Sequence, residues 1–261
     1  MTISGHFVPT TDGNLFATQF GPMSKHAVLI LPALFEEMNL SRAVIAKQAQ
    51  ALASRGMGSV LMDYYGTGDS EGELSEGCAL RWRKDVVAVG QWMIGQGVQT
   101  LTLWGVRFGA LLQLDGQTEL VKQLPVTRQL VWKPITSGKT LVNQLMRLKV
   151  TNQALAGNAE KVDWRGKIRQ GESVEIAGYL LSETLVASLE AMHIPMDEPL
   201  SSLCWHELGS TTLLPAVDKY RLAWPTHQFF ALPSKPFWQS PEIFDEPDLN
   251  EAVLKGVGID A

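Results

Sequence analysis

Apolar residues fall in short unbroken runs, separated by longer stretches in which they recur at helical spacing. Residues 27–31 (Ala-Val-Leu-Ile-Leu), 58–62 and 100–104 are the runs that read as strands covered on both faces. Between the first two, residues 41–55 place Ile45, Ala49, Leu52 and Ala53 in helical register, with Gly56 where a C-terminal cap belongs. Residues 80–94 repeat the pattern with Trp82, Val86, Val89 and Met93, and a further helix runs through Leu114. Ahead of these, Thr11-Asp12-Gly13-Asn14 predicts the turn of a hairpin. Later strands are predicted at 129–133, 173–177, 202–207 and 228–231, and helices at 141–148, 183–192, 215–222 and 248–255. Strand and helix alternating in this way predict βαβ units: an α/β fold with a mostly parallel sheet. Residues 150–170 are polar, glycine-bearing and without clear period, and predict a cap or lid at about 139–171 inserted into a single domain.

Composition narrows the classes. With 261 residues, 45% hydrophobic and 19% charged, the chain is long enough for one large core. A formal net charge of −5 gives no basic footprint for nucleic acid. No apolar run approaches the roughly 20 residues of a membrane span, and the first ten residues lack a signal-peptide pattern. The expectation is a cytoplasmic protein. Cys78 and Cys204 make no disulfide framework, and no His-x-Glu or His-x-x-x-His spacing suggests a metal, so no cofactor is expected.

In open parallel sheets, ligands bind beyond the carboxyl ends of the strands. Three such segments resemble the α/β-hydrolase superfamily. The loop from Pro32 to Asn39 stands where that fold keeps its oxyanion-hole backbone. Asp63-x-x-Gly66-x-Gly68-x-Ser70-x-Gly72 resembles the loop after the fold's fourth strand. Gly105-Val106-Arg107-Phe108-Gly109 resembles the nucleophile elbow, a strained turn whose flanking small residues lift one side chain above the sheet. Here that side chain is Arg107, and a guanidinium does not deprotonate to attack a carbonyl. The segment after the last predicted strand, where the base belongs, reads Leu-Pro-Ser-Lys-Pro-Phe-Trp without histidine. His227 precedes that strand, at the wrong end of the sheet. His206 lies beside Glu207, where the acid of a triad stands; it reads as a structural histidine or a site residue. A Ser-His-Asp mechanism is excluded.

Three roles remain open for Arg107. It can be neutralised by Glu36, Glu37 or Glu207 in a buried pair, or it can hold a ligand's carboxylate or phosphate at a helix N-terminus. Alternatively, one of these glutamates acts as general base on water while Arg107 stabilises an oxyanion. Ser137, after the strand ending near Lys133, is a lone nucleophile candidate. Trp132, Trp164, Trp205, Phe237 and Trp238 read either as core and cap packing or as an apolar pocket. Phe35, Asn39, Trp104, Trp132 and Trp238 are the expected ligand contacts, and the expected ligand is an acyl or anionic small molecule.

Five segments together carry a closer resemblance: Pro32-x-x-Phe35-Glu36-Glu37-Met38-Asn39, Asp69-Ser70-Glu71-Gly72, Leu103-Trp104-Gly105-x-Arg107-x-Gly109-Ala110-Leu111-Leu112, Ile176-Ala177-Gly178-Tyr179 and Pro236-Phe237-Trp238. Over residues 32–244 the chain is similar to the exosortase A system-associated hydrolases of the second type. The resemblance implies an α/β-hydrolase fold, arginine at the elbow as a family trait, and a place beside PEP-CTERM protein sorting and exopolysaccharide production. "Hydrolase" in that name comes from the fold, and fold alone does not establish an activity.

Overall fold

A computed structural model describes residues 2–155, 157, 162–242, 244 and 246–259. An antiparallel hairpin opens the chain, β1 (Ile3–Thr10) with β2 (Gly13–Phe20). Then follow β3 (His26–Leu31), α1 (Glu36–Ser54), β4 (Ser59–Met62), α2 (Ala79–Gly95) and β5 (Thr100–Val106). The short helices α3 (Phe108–Asp115) and α4 (Gln117–Gln123) lead into β6 (Val126–Trp132). Next come α5 (Gly138–Leu155), α6 (Trp164–Arg169), a small hairpin β7 (Val174–Ile176) and β8 (Tyr179–Leu181), and α7 (Glu183–Ala191). The chain closes with β9 (Ser202–Leu208), α8 (Pro215–Ala223), β10 (Gln228–Leu232) and α9 (Pro247–Val257).

Eight strands form one sheet in the order β1-β2-β4-β3-β5-β6-β9-β10. β2 is antiparallel to both neighbours, and every pairing from β4 to β10 is parallel. The unbroken apolar runs have their explanation in this arrangement, because successive side chains enter two different cores. Leu29, Leu103, Val131 and Trp205 pack with Trp82, Val86 and Val89 of α2 on one face. Val28, Ile30, Trp104, Leu130 and Cys204 pack on the other with Ile45, Ala49 and Leu52 of α1 and Leu249 and Val253 of α9.

Several boundaries differ from the sequence reading. Residues 36–39 are not loop, because α1 already begins at Glu36. The usual start signal is missing: the N-cap position is Phe35 at φ 58°, where Ser, Thr, Asp or Asn would announce a helix. Glu36 and Glu37 therefore occupy the first turn, where the helix dipole favours carboxylates. The strand expected at 173–177 does not join the main sheet; among the described residues, Val174–Ile176 pairs with Tyr179–Leu181 in a separate two-stranded hairpin. Residues 150–170, read as aperiodic, contain the end of α5 and all of α6. The insertion expected at 139–171 thus falls on those two helices, with residues 156 and 158–161 outside the described part of the chain. The insertion itself is not detached from the body, since Leu141, Val142 and Leu145 of α5 and Ile168 of α6 belong to the first core together with Leu185 and Leu189 of α7.

Candidate active site

Tight packing creates the turn at the end of β5. A Cβ on Gly105 would press on the Ala110 backbone, and one on Gly109 would run into the Leu31 carbonyl. These two glycines let the elbow lie directly against the end of β3. Between them Arg107 is held at φ 55°, ψ −110° as the N-cap of α3. Its amide donates to the Trp132 carbonyl at 2.9 Å, tying the turn to β6.

The Arg107 side chain is 7% exposed and that of Glu37 is 19% exposed. The guanidinium grips the carboxylate in two parallel bonds, Nε to Oε2 at 3.0 Å and Nη2 to Oε1 at 2.8 Å. Nη1 donates to the Lys133 carbonyl at 3.0 Å. The charge centre lies 5.2 Å from the ring of Trp238, in cation–π range. Trp238 follows β10, so an indole stands in the segment that carries the base in a catalytic α/β-hydrolase.

The other expected acids go elsewhere. Glu207 does not reach Arg107; its carboxylate is 2% exposed and paired with Lys133. Parallel register causes this: Trp132 aligns with His206, and the Lys133 amide donates to the His206 carbonyl at 2.8 Å, so the next residues of the two strands meet. Glu36 accepts from the Tyr179 hydroxyl at 3.3 Å, and Asn39 donates to the same hydroxyl at 3.3 Å. Phe35 meets the Tyr179 ring edge-on at 5.3 Å. Burial and the Glu36 charge push the Tyr179 phenol up to about 12, so it remains a donor at neutral pH.

Ser137 bridges backbone with His193 at the start of α5, and among the described residues no hydrogen bond joins its hydroxyl to Arg107. Trp104 and Trp132 are wholly enclosed in the second core, with ring centroids 4.7 Å apart, beneath the elbow rather than at its surface. Trp164 lies between Lys149 and Lys167 of the inserted segment, and Trp205 stacks on Tyr220 in the first core. His227 accepts from the Leu203 amide at 3.1 Å, at the amino end of β9. His206 is 2% exposed, and burial lowers its pKa to about 4.

Lys133 and Tyr179 are the participants to which sequence reasoning gave no role. Lys133 had a usable signal, a cation directly after a buried strand. Tyr179 stood in the Ile176–Tyr179 segment of the resemblance without a role, because its partner Glu36 is 143 residues away. Together Glu37, Arg107, Lys133 and Glu207 form two ion pairs, joined by the Arg107–Lys133 bond, with Trp238 over one end. Among the described residues, no group of His, Cys, Asp and Glu is arranged to hold a metal ion, and no helix is long and apolar enough to cross a membrane.

Comparison with solved structures places this architecture. Est1E from Butyrivibrio proteoclasticus, solved with ferulic acid bound, matches with a TM-score of 0.66 at 13% identity, over 97% of this chain and 99% of its own. A candidate hydrolase from Agrobacterium vitis S4 matches with a TM-score of 0.65 at 14% identity, over 98% and 100%. The thioesterase domain from the curacin biosynthetic pathway matches with a TM-score of 0.60 at 12% identity, over 98% and 99%. No family model matches the sequence, and neither does any curated protein. The fold is that of the α/β-hydrolases, and identities this low show the fold alone.

Proposed function

We propose that this chain is a hydrolase-fold protein that binds an acyl or anionic small molecule at the elbow, without Ser-His-Asp chemistry. On this reading it is an accessory protein of an exosortase A and exopolysaccharide system, as the sequence resemblance implies, and it works in the cytoplasm with residues 139–171 as a cap over the site. One observation supports binding above all: the strained elbow persists around a side chain that cannot be a nucleophile. Of the four non-glycine residues at positive φ among the described residues, Phe35, Arg107 and Lys133 lie around the carboxyl ends of β3, β5 and β6, and the fourth, Ala177, lies in the turn between β7 and β8. Such conformations cost about 1–3 kcal/mol each and concentrate at functional sites. Glu37 then serves as an internal stand-in. It fills the Arg107 fork in the free protein and, being partly exposed, swings to solvent when a ligand carboxylate or phosphate takes its place.

A second reading has one observation in its favour: the Glu37 carboxylate is fixed by Arg107 yet not fully covered, as a general base for ester or thioester hydrolysis would need. One set of measurements separates the two. Octanoate and octanoyl-CoA binding are followed by calorimetry, and p-nitrophenyl octanoate and octanoyl-CoA turnover by absorbance. The binding reading expects no turnover, loss of binding in Arg107→Ala, and about tenfold tighter binding in Glu37→Gln, which frees the fork. Turnover abolished by Glu37→Gln would establish the hydrolytic reading instead.

A further inference from the structure

Away from the elbow, a cavity opens between the edge strand β10 and α9. We infer that it binds a small phenolic amine, with the hydroxyl placed deep against His206 and the ammonium at the mouth. The cavity holds about 340 Å³ and is walled by Phe230 and Leu232 of β10 and by Leu249 and Ala252 of α9. That size lies at the low end of the roughly 300–1,000 Å³ typical of small-molecule sites.

His206 forms part of its lining, and its Nδ1 is buried with no hydrogen-bond partner among the described residues. The other ring nitrogen, Nε2, lies 3.1 Å from Cys204 Sγ. Burial keeps both groups neutral, the imidazole with a pKa near 4 and the thiol pushed up to about 12. Whichever tautomer that contact selects, Nδ1 presents one donor or one acceptor, and a hydroxyl satisfies either. Ser234 Oγ, on the same lining, is also buried and has no hydrogen-bond partner among the described residues. Buried polar atoms are normally hydrogen-bonded, so a ligand hydroxyl that reached these two would complete pairings the protein leaves open.

Shape and charge define the rest of the ligand. The Phe230 ring, 5.8 Å from the His206 ring and 45% exposed, offers an aromatic wall. Three carboxylates line the cavity, Glu246, Asp248 and Glu251, against the single ammonium of Lys255. That balance favours a cation and repels an anion.

The test uses the full chain, isotopically labelled, with tyramine as probe. Its neutral isostere is 4-propylphenol, and its anionic counterpart is 3-(4-hydroxyphenyl)propanoate. Tyramine is expected to shift the His206 ring resonances saturably, with 4-propylphenol about tenfold weaker and the propanoate weaker still. Ala252→Trp, which fills the cavity, should abolish the shift. Glu251→Lys, a surface change that spares the fold, should weaken tyramine about tenfold and leave 4-propylphenol unchanged. Three results would each overturn the assignment: no His206 response to millimolar tyramine, an anion binding as well as the amine, or unaltered tyramine binding in Glu251→Lys.

Discussion

Both partners of the Arg107–Glu37 pair lie largely out of water, so truncating one of them leaves the other uncompensated. Glu37→Ala should therefore destabilise the protein by about 3 kcal/mol in urea unfolding, far more than an exposed ion pair would. A loss below about 0.5 kcal/mol would mean that solvent already screens the pair. Part of this site was legible from residue chemistry. Two glycines flanking Arg107 marked the turn, and a fixed cation beneath nearby glutamates called for a carboxylate. Which carboxylate answered was not legible. Glu207 lost to Glu37 because strand register set it beside Lys133. Register is a property of two strands together and leaves no mark on either alone.

At the scale of elements, α3 shows why the elbow tolerates so little. Gly109 faces the Leu31 and Pro32 carbonyls, which are backbone and cannot swing aside. Gly109→Ala should force α3 away from β3 and cost at least about 3 kcal/mol, with calorimetric unfolding as the readout. Ala at Gly56, where nothing lies within 4 Å of the added Cβ, meets only the strain of its φ of 80° and should be milder. Elements with strong periodicity, such as α2 and the runs of β3 and β5, were readable within a residue or two. α1 began early because Phe35 gave no capping signal, and β8 was missed because its three residues form a strand only by pairing with β7.

Across the whole molecule, the doubled core explains both the legible fold and a titrating weakness. Continuous apolar runs revealed a sheet covered on two faces, whereas the packing of α5 and α7 into the first core had no comparable local signature. Asp85 of α2 is 5% exposed and accepts the Tyr65 amide at 2.8 Å. Burial raises its pKa from 3.8 to about 7. The folded state thus holds this proton more tightly than the unfolded chain. That contribution is complete below pH of about 4 and is lost as pH rises towards 7. Asp85→Asn keeps an acceptor for the amide and removes the titration. It should match the parent near pH 4 and exceed it at pH 8 by at most about 4 kcal/mol in denaturant midpoints converted to free energy. An unchanged gap across that range would refute the assignment.

Trp238 over Arg107 also bears on how reversible such a site is. Nucleophilic chemistry at this elbow would need serine at 107 and histidine near 238, and neither change suffices alone. Serine first strands Glu37 without its cation, while histidine first sets an ionisable ring beside a guanidinium that already holds its counterion. Neither single change supplies a triad, and the loss of Arg107 alone leaves the largely buried Glu37 carboxylate unpaired. The elbow thus keeps its turn with a guanidinium as occupant, and a nucleophilic site there would need both positions changed together.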